Sequence, residues 1–216
     1  KVTSFHLPVG WTLRGTGSNP IDIRSLSDIV IEGTIDCNGD NGEDIQSNNA
    51  LISQGGTGHC GGGNGGSGGS ITDSAVNGFS GGSPVSGGLG ANSTNGAGTP
   101  PFDNAGATGG GGGGSFRQTG TPAEDGYDSN EVTWVSAGTN SPDDAFSLTG
   151  GGSGGGGGAA YGGTDTTNHS NGGGGGGGGG SVLLRAVRDI EVRGTVRANG
   201  GSGGGTSGTL RGGGGG

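Results

Sequence analysis

Pure glycine runs punctuate this sequence and rule out an ordinary side-chain core across much of it. The longest run covers residues 172–180, others lie at 109–114, 154–158 and 212–216, and a looser run covers 61–69. Glycine has no side chain to bury, and its backbone loses more conformational freedom on folding than that of any other residue. Such runs either remain flexible coil or become ordered through backbone hydrogen bonds.

Polyglycine II is the ordered form that glycine runs can adopt. It is the left-handed threefold helix that glycine shares with polyproline, rising about 3.1 Å per residue. Without Cβ atoms, such helices can pack side by side and exchange hydrogen bonds between chains. Because the run at 172–180 is pure and leads directly into the strand-like segment at Val182, we expect ordered packing rather than coil.

Composition excludes several classes of protein. Glycine accounts for 65 of the 216 residues and hydrophobic residues for only 25%, about half the usual apolar share. A doubly wound α/β enzyme and a helical bundle both need more apolar side chain than this. No stretch reaches the roughly 18 apolar residues that a membrane-spanning helix requires. With a net charge of −9, we expect neither nucleic-acid binding nor membrane insertion.

An internal repeat links the two ends of the chain. Residues 21–40 align without a gap to residues 182–201, at an offset of 161 residues. In each copy the aliphatic residues recur with a period of two, which is typical of a half-buried strand. Each copy is interpreted as a short strand, a bend near Ser27-Asp28 or Arg188-Asp189, and a second strand that ends at an Asn-Gly turn.

These patterns predict an all-β fold with essentially no α-helix. Short β-solenoid or β-sandwich coils would combine with packed polyglycine II helices in a single glycine-rich domain covering residues 1–216. Residues 1–54 would supply an N-terminal strand and the first repeat. Residues 55–180 would supply glycine tracts with loops rich in side chains, and residues 181–216 the second repeat and a terminal glycine tract.

Charges on the two repeats are complementary. Glu32 and Asp36 occupy the positions that Arg193 and Arg197 occupy in the second copy. If the copies stack in parallel, within one chain or between chains, each carboxylate would lie beside a guanidinium. Exposed pairs of this kind stabilise by only about 0–1 kcal/mol each, but they select register and partner. Solvated strand faces without such a role would show the same residues.

Cys37 and Cys60 are the only cysteines. An even cysteine count in an acidic, glycine-rich chain suits an exported protein with one disulfide, although a two-ligand metal site that includes His59 is an alternative. The chain carries no leader-like segment with a charged start and an apolar centre. We expect a secreted, extracellular or cell-surface protein whose leader has been removed.

The repeats resemble a known pattern. The runs LPVGWTLRGTGSNPIDIRSLSDIVIEGTIDCNGDNG and GGGGGGGGGSVLLRAVRDIEVRGTVRANGGSGG are similar to the glycine-rich parallel β-helix-type repeats of large secreted bacterial surface proteins. That resemblance implies export and a structural role. A second resemblance, limited to the alternation of glycine tracts and loops, is to the receptor-binding tip adhesins of T-even-type phages.

Little in the sequence indicates catalysis or a cofactor. Asp36, Asn38 and Asp40 are spaced like the start of a calcium loop, but the sixth position holds Asn41 where an EF-hand needs glycine. Ca²⁺ is therefore a secondary prediction beside a solvated acidic turn. No nucleophile elbow, phosphate loop or positioned pair of carboxylates is evident. We expect no enzymatic activity.

Two functions follow from these features. The first is an extracellular structural protein that assembles with copies of itself into a fibre, pilus-like filament or sheath. The recurrence of Thr-Leu-Arg-Gly at 12–15 and 209–212 suggests a head-to-tail join. The second is an adhesin that displays variable loops toward a cell-surface glycan or receptor. Its candidate ligand residues are Tyr127, Trp134, Asp143 and Asp144.

Overall fold

The computed structural model describes residues 1–44, 53–68, 151–152, 154–155 and 173–205. These residues contain eight β-strands and no helix, so the predicted all-β fold is confirmed for them. Accordingly, no helix in these ranges has the length and apolar character needed to span a bilayer.

All eight strands are short, from three to five residues. They are β1 (Phe5–Leu7), β2 (Thr12–Arg14), β3 (Ile21–Ser25), β4 (Ile29–Ile31), β5 (Thr34–Asp36), β6 (Val182–Ala186), β7 (Ile190–Val192) and β8 (Thr195–Arg197).

The strands form three parallel sheets, in the orders β1-β4-β7, β2-β5-β8 and β3-β6. Strands that follow one another in the chain therefore belong to different sheets, and the strands within a sheet come from successive stretches of the chain. We call these stretches layer 1 (residues 2–14), layer 2 (residues 21–36) and layer 3 (residues 182–197). Layer 1 also reaches the third sheet through a parallel bridge from Val2 to Ser25.

Layers 2 and 3 are the two sequence repeats, and they pair in parallel along their whole length. Ile21 pairs with Val182, Ile29 with Ile190 and Asp36 with Arg197. The offset of 161 residues is thus the spatial register, and parallel stacking of the copies within one chain is confirmed. Matching aliphatic residues lie one above the other, which explains why both copies keep the same alternation.

Each repeat contains three strands rather than the two that the sequence predicted. The predicted second strand breaks at Gly33 in layer 2 and at Gly194 in layer 3. At Gly33 a Cβ atom would overlap the backbone carbonyl oxygens of Trp11 and Pro8. The chain can bend there because only glycine admits so close an approach of the neighbouring layer.

The N-terminal segment also forms two strands, β1 and β2, instead of one. Gly10 separates them with a φ of +82°, a conformation that glycine adopts at little cost. Because the chain turns at this point, the side chains on either side of Gly10 do not enter the core. Val9 and Trp11 are exposed, with 68% of Trp11 accessible to solvent.

A small core lies between the layers. Its buried hydrophobic residues are Leu7, Ile29, Ile31, Ile35, Cys37 and Cys60. The three isoleucines are completely buried, while their layer 3 counterparts Ile190, Val192 and Val196 are 42–48% exposed. Among the residues that the structure describes, layer 2 has a neighbouring layer on both sides, whereas layer 3 has one on one side only.

Because of this difference in burial, the same substitution should destabilise the protein more in layer 2 than at the paired position in layer 3. Ile29→Val should lower the free energy of unfolding by about 1 kcal/mol, because it removes a methyl group from a packed core. Ile190→Val should cost only a few tenths of a kcal/mol, since Ile190 already contacts water. Denaturant unfolding of both variants measures the difference. Equal costs would contradict the assignment of layer 2 as the buried layer.

Candidate functional site

Extended glycine-rich segments join the ends of the layers and bond to one another through the backbone. We call them the glycine array: residues 38–44, 53–59, 62–68, 151–152, 154–155, 173–180 and 199–205. Residues 173–180 lie at its centre, and their backbone groups bond to the six other segments of the array. Residues 173–179 are all buried.

Hydrogen bonds in the array recur every third residue. The N–H groups of Gly174, Gly177 and Gly180 donate to the carbonyl oxygens of Glu43, Asp40 and Cys37, at 2.9 Å in each case. Gly175 and Gly178 donate in the same way to Gly66 and Gly63. A run of residues that turns successive N–H groups toward different neighbours has the repeat expected of a threefold helix.

Close packing of these backbones leaves no room for side chains on their inner faces. A Cβ atom at Gly177 would overlap the backbone of Thr57 and Gly56, and one at Gly201 would overlap the backbone of Asp40. In contrast, a Cβ at Gly200 would meet only the carbonyl oxygen of Gly177, at 3.5 Å. The array therefore needs glycine at specific positions and tolerates a side chain beside them.

Segment 38–44 directs two kinds of residue toward two different neighbours. Gly39 and Gly42 face residues 173–180, which we call the central tract, and a Cβ on either glycine would overlap the backbone there. A second set consists of Asn38, Asn41 and Asp44, whose side-chain oxygens accept the backbone N–H groups of Asn199, Ser202 and Gly205 at 2.8–2.9 Å. Each of these bonds spans 161 residues, so the register of the layers continues into the array.

Asp40 connects layer 1 to the array. Its carboxylate accepts a hydrogen bond from Arg14 Nη2 at 2.7 Å and lies 2.9 Å from Nε2 of His59. Its backbone N–H donates to Thr57, and its carbonyl oxygen accepts from Gly177. The hydrogen bond with His59 is the main cause that holds the pKa of Asp40 below its usual value of 3.8, with Arg14 adding to the effect.

A disulfide lies beside this ion-pair network. Cys37, at the end of β5, is bonded to Cys60, which confirms the predicted pair, and both residues are completely buried. Cys60 and Gly61 both have positive φ angles, and the N–H of Gly62 donates to the carbonyl oxygen of His59. Segments 53–59 and 62–68 are thus joined by a tight turn that the disulfide attaches to layer 2.

Ion pairs cross between the layers. Arg193 lies 3.3 Å from Glu32, which is also hydrogen-bonded to His6 of layer 1 at 2.9 Å. Arg188 lies 3.4 Å from Asp28. Asp36 and Arg197 are in register, but the Asp36 carboxylate accepts the backbone N–H of Asn38, and no ion pair among the described residues involves Arg197. A role for these residues in assembly stays a prediction.

The lowered pKa values of three carboxyl groups indicate that the protein loses stability in acid. Hydrogen bonds from Arg24, His6 and His59, respectively, hold the pKa values of Asp22, Glu32 and Asp40 below their ordinary values of 3.8 to 4.5. A group whose pKa is lowered by folding adds stability above its unfolded value and loses it as the pH falls through the folded value.

We therefore expect the contribution of these groups to the free energy of unfolding to be constant between about pH 5 and 7. It should decrease as the pH is lowered further, beginning at about pH 4. Denaturant unfolding at each pH measures the effect. Asp40→Asn keeps the size and an oxygen acceptor but removes one titrating group, so its acid loss should be smaller. An equally steep loss in this variant would rule out a contribution from Asp40.

The structure does not bring the calcium candidates together. The carboxylate of Asp36 accepts the N–H of Asn38, the Asn38 oxygen accepts from Asn199, and Asp40 is paired with Arg14 and His59. Within the described ranges, no group of three or more His, Cys, Asp or Glu residues could hold a metal ion. The Ca²⁺ prediction gains no support from this geometry.

The candidate ligand residues Tyr127, Trp134, Asp143 and Asp144 lie outside the described residues. The adhesin function therefore stays a prediction. Conversely, sequence reasoning missed the Arg14–Asp40–His59 network, since its members lie 26 and 19 residues apart. It also missed the repeated triplet Asn-Gly-Asp, Asn-Gly-Glu at 38–43, whose period of three matches the recurrence of hydrogen bonds at every third residue.

Comparison with protein-family models, with curated proteins and with solved structures finds no match for this chain.

Proposed function

We propose that this chain is a non-catalytic structural module of an extracellular fibre or sheath. In this proposal layers 1–3 are coils of a β-solenoid, and the glycine array is a bundle of polyglycine II helices that continues the solenoid. Both parts would extend by stacking against further chains. Copies of the same chain are the simplest partners, and the resemblance to repeats of secreted bacterial surface proteins is consistent with this role.

The observation that carries the proposal is the uncovered side of layer 3. Its strands β6, β7 and β8 each pair with one described neighbour only, and its aliphatic residues Ile190, Val192 and Val196 remain 42–48% exposed. A parallel strand edge with exposed aliphatic side chains is a template for another strand. We call this surface, consisting of residues 182–197, the open end.

Backbone cohesion supports a mechanical role. The central tract 173–180 is held by hydrogen bonds to six neighbouring segments, and these bonds do not depend on a large side-chain core. Loading such an array distributes force over many short backbone contacts. The disulfide between Cys37 and Cys60 adds a covalent link between the layers and the array.

Electron microscopy and sedimentation velocity of the purified protein test assembly directly. The proposal predicts elongated or sheet-like particles whose size grows with protein concentration. Val192→Lys should shorten them, because it places a charge on the open end. Leu26→Lys, at a half-exposed position in the middle layer, is the matched control, because layer 2 lies at neither end of the stack. Monodisperse single particles at every concentration and salt would contradict the proposal.

A further inference from the structure

The open end displays positive charge as well as aliphatic surface. It carries four arginines, Arg185, Arg188, Arg193 and Arg197. The first three lie 3.3–3.9 Å from Asp22, Asp28 and Glu32 of layer 2. More than half of each of these three side chains is still exposed. Arg193 also binds Glu191 of its own layer at 2.7 Å, whereas Arg185 and Arg188 each have one carboxylate partner among the described ion pairs. Since a guanidinium has five N–H donors, Arg185 and Arg188 can each bind a second carboxylate.

The interface between layers 2 and 3 shows what fits against such a surface. There, isoleucines at 29, 31 and 35 meet aliphatic residues in register, and acidic side chains outside the core meet the arginines. The exposure of these isoleucines is 0%, against 42–48% for their layer 3 counterparts. A second acidic layer on the open end would bury layer 3 as layer 2 is buried and would place carboxylates on both sides of the arginines.

We infer that the open end binds an acidic β-strand layer of another polypeptide. That partner would have alternating aliphatic residues and carboxylates spaced like Asp22, Asp28, Glu32 and Asp36. It would add to β6, β7 and β8 in parallel and in the register seen between layers 2 and 3. This inference rests on the proposed function in one respect, because it takes the open end to be an assembly surface.

Layer 1 of a second copy fits this surface poorly. In the register of the sheets, Arg14 would lie opposite Arg197, because both pair with the position of Asp36. Like charges directly opposite each other on paired strands destabilise the pairing. This pair makes layer 1 of a second copy a weaker partner for the open end than an acidic layer, without preventing the assembly of copies proposed above.

Two peptides copied from this chain provide the probe and its control. The acidic peptide has the sequence of residues 21–36, and the basic peptide has the aligned sequence of residues 182–197. Both have the same strand pattern, but their charges are opposite. We expect the acidic peptide, carrying a fluorescent label, to bind the whole protein at least about tenfold more tightly than the basic peptide. Added salt should reduce the difference.

Variants of the protein locate the binding surface. Val192→Lys should weaken binding of the acidic peptide at least about tenfold by blocking apolar contact, and Arg197→Glu should weaken it by reversing a charge. Val9→Lys should leave it unchanged. Circular dichroism of each variant checks that the fold is kept, and Arg197→Glu alters only an exposed side chain.

The outcomes separate the inference from the proposed function. Equal binding of the two peptides, no binding of the acidic peptide, or binding that Val192→Lys and Arg197→Glu do not weaken would overturn the inference. If copies of the protein associate through Val192 while the acidic peptide does not compete, the occupant is a second copy. That result would overturn the inference and support the proposed function.

Discussion

Replacing Gly177 by alanine should lower the free energy of unfolding by about 3 kcal/mol or more. The added Cβ would meet the backbone of Thr57 and Gly56, and backbone cannot move aside as a flexible side chain can. Relief would require separating the central tract from its neighbours, which weakens the hydrogen bonds that Gly177 makes with Asp40 and Gly201. Denaturant unfolding followed by circular dichroism measures the loss.

Gly200→Ala is the matched control for this substitution. Gly200 lies in the neighbouring segment, is exposed, and has space for a Cβ at 3.5 Å from the nearest atom, the carbonyl oxygen of Gly177. Its φ is not in the left-handed region, so alanine should be neutral or stabilise by up to about 1 kcal/mol by restricting the unfolded chain. If both alanines behaved alike, glycine would not be needed for close packing.

Removing the disulfide should lower the free energy of unfolding by about 3 kcal/mol in the chain-entropy model. The bond between Cys37 and Cys60 closes a loop with a sequence separation of 23 residues. It also fixes the turn at Cys60, whose φ of 48° is unusual for a residue other than glycine. The double variant Cys37→Ala, Cys60→Ala tests the prediction by denaturant unfolding.

Wild-type protein unfolded in the presence of a thiol reductant is the control for the double variant. Both should lose the same free energy, since both lack the covalent link, while addition of reductant to the variant should change nothing. A double variant as stable as the oxidised wild type would mean that the array holds the turn without the disulfide. In that case the bond would not couple the layers to the array.

Local patterns and the repeat predicted the parts of this fold that depend on matching sequence. The alternation of Ile29, Ile31 and Ile35, repeated 161 residues later, predicted that both copies form strands, with two per copy instead of three, and the offset predicted their register. The cysteine pair followed from its count alone. These features depend either on a few neighbouring residues or on the similarity of two segments, so they can be predicted from one sequence alone.

Features that depend on what lies next to a segment could not be predicted in this way. Ile190 has sequence neighbours similar to those of Ile29, but it is 46% exposed because no described strand covers the second side of layer 3. The strand break at Gly33 depends on the backbone of Pro8 and Trp11 in the adjacent layer. The partnership of Asp40 with Arg14 and His59 likewise results from stacking of segments that are distant in the chain.

Amide hydrogen exchange of the central tract tests most directly whether backbone hydrogen bonding holds this protein together. The N–H groups of Gly174, Gly177 and Gly180 should exchange at least about a thousandfold more slowly than in an unstructured peptide, because each is bonded to a carbonyl oxygen at 2.9 Å. Protection equal to that of the core strand β4 is the predicted result. Exchange at the rate of a free peptide would contradict the account.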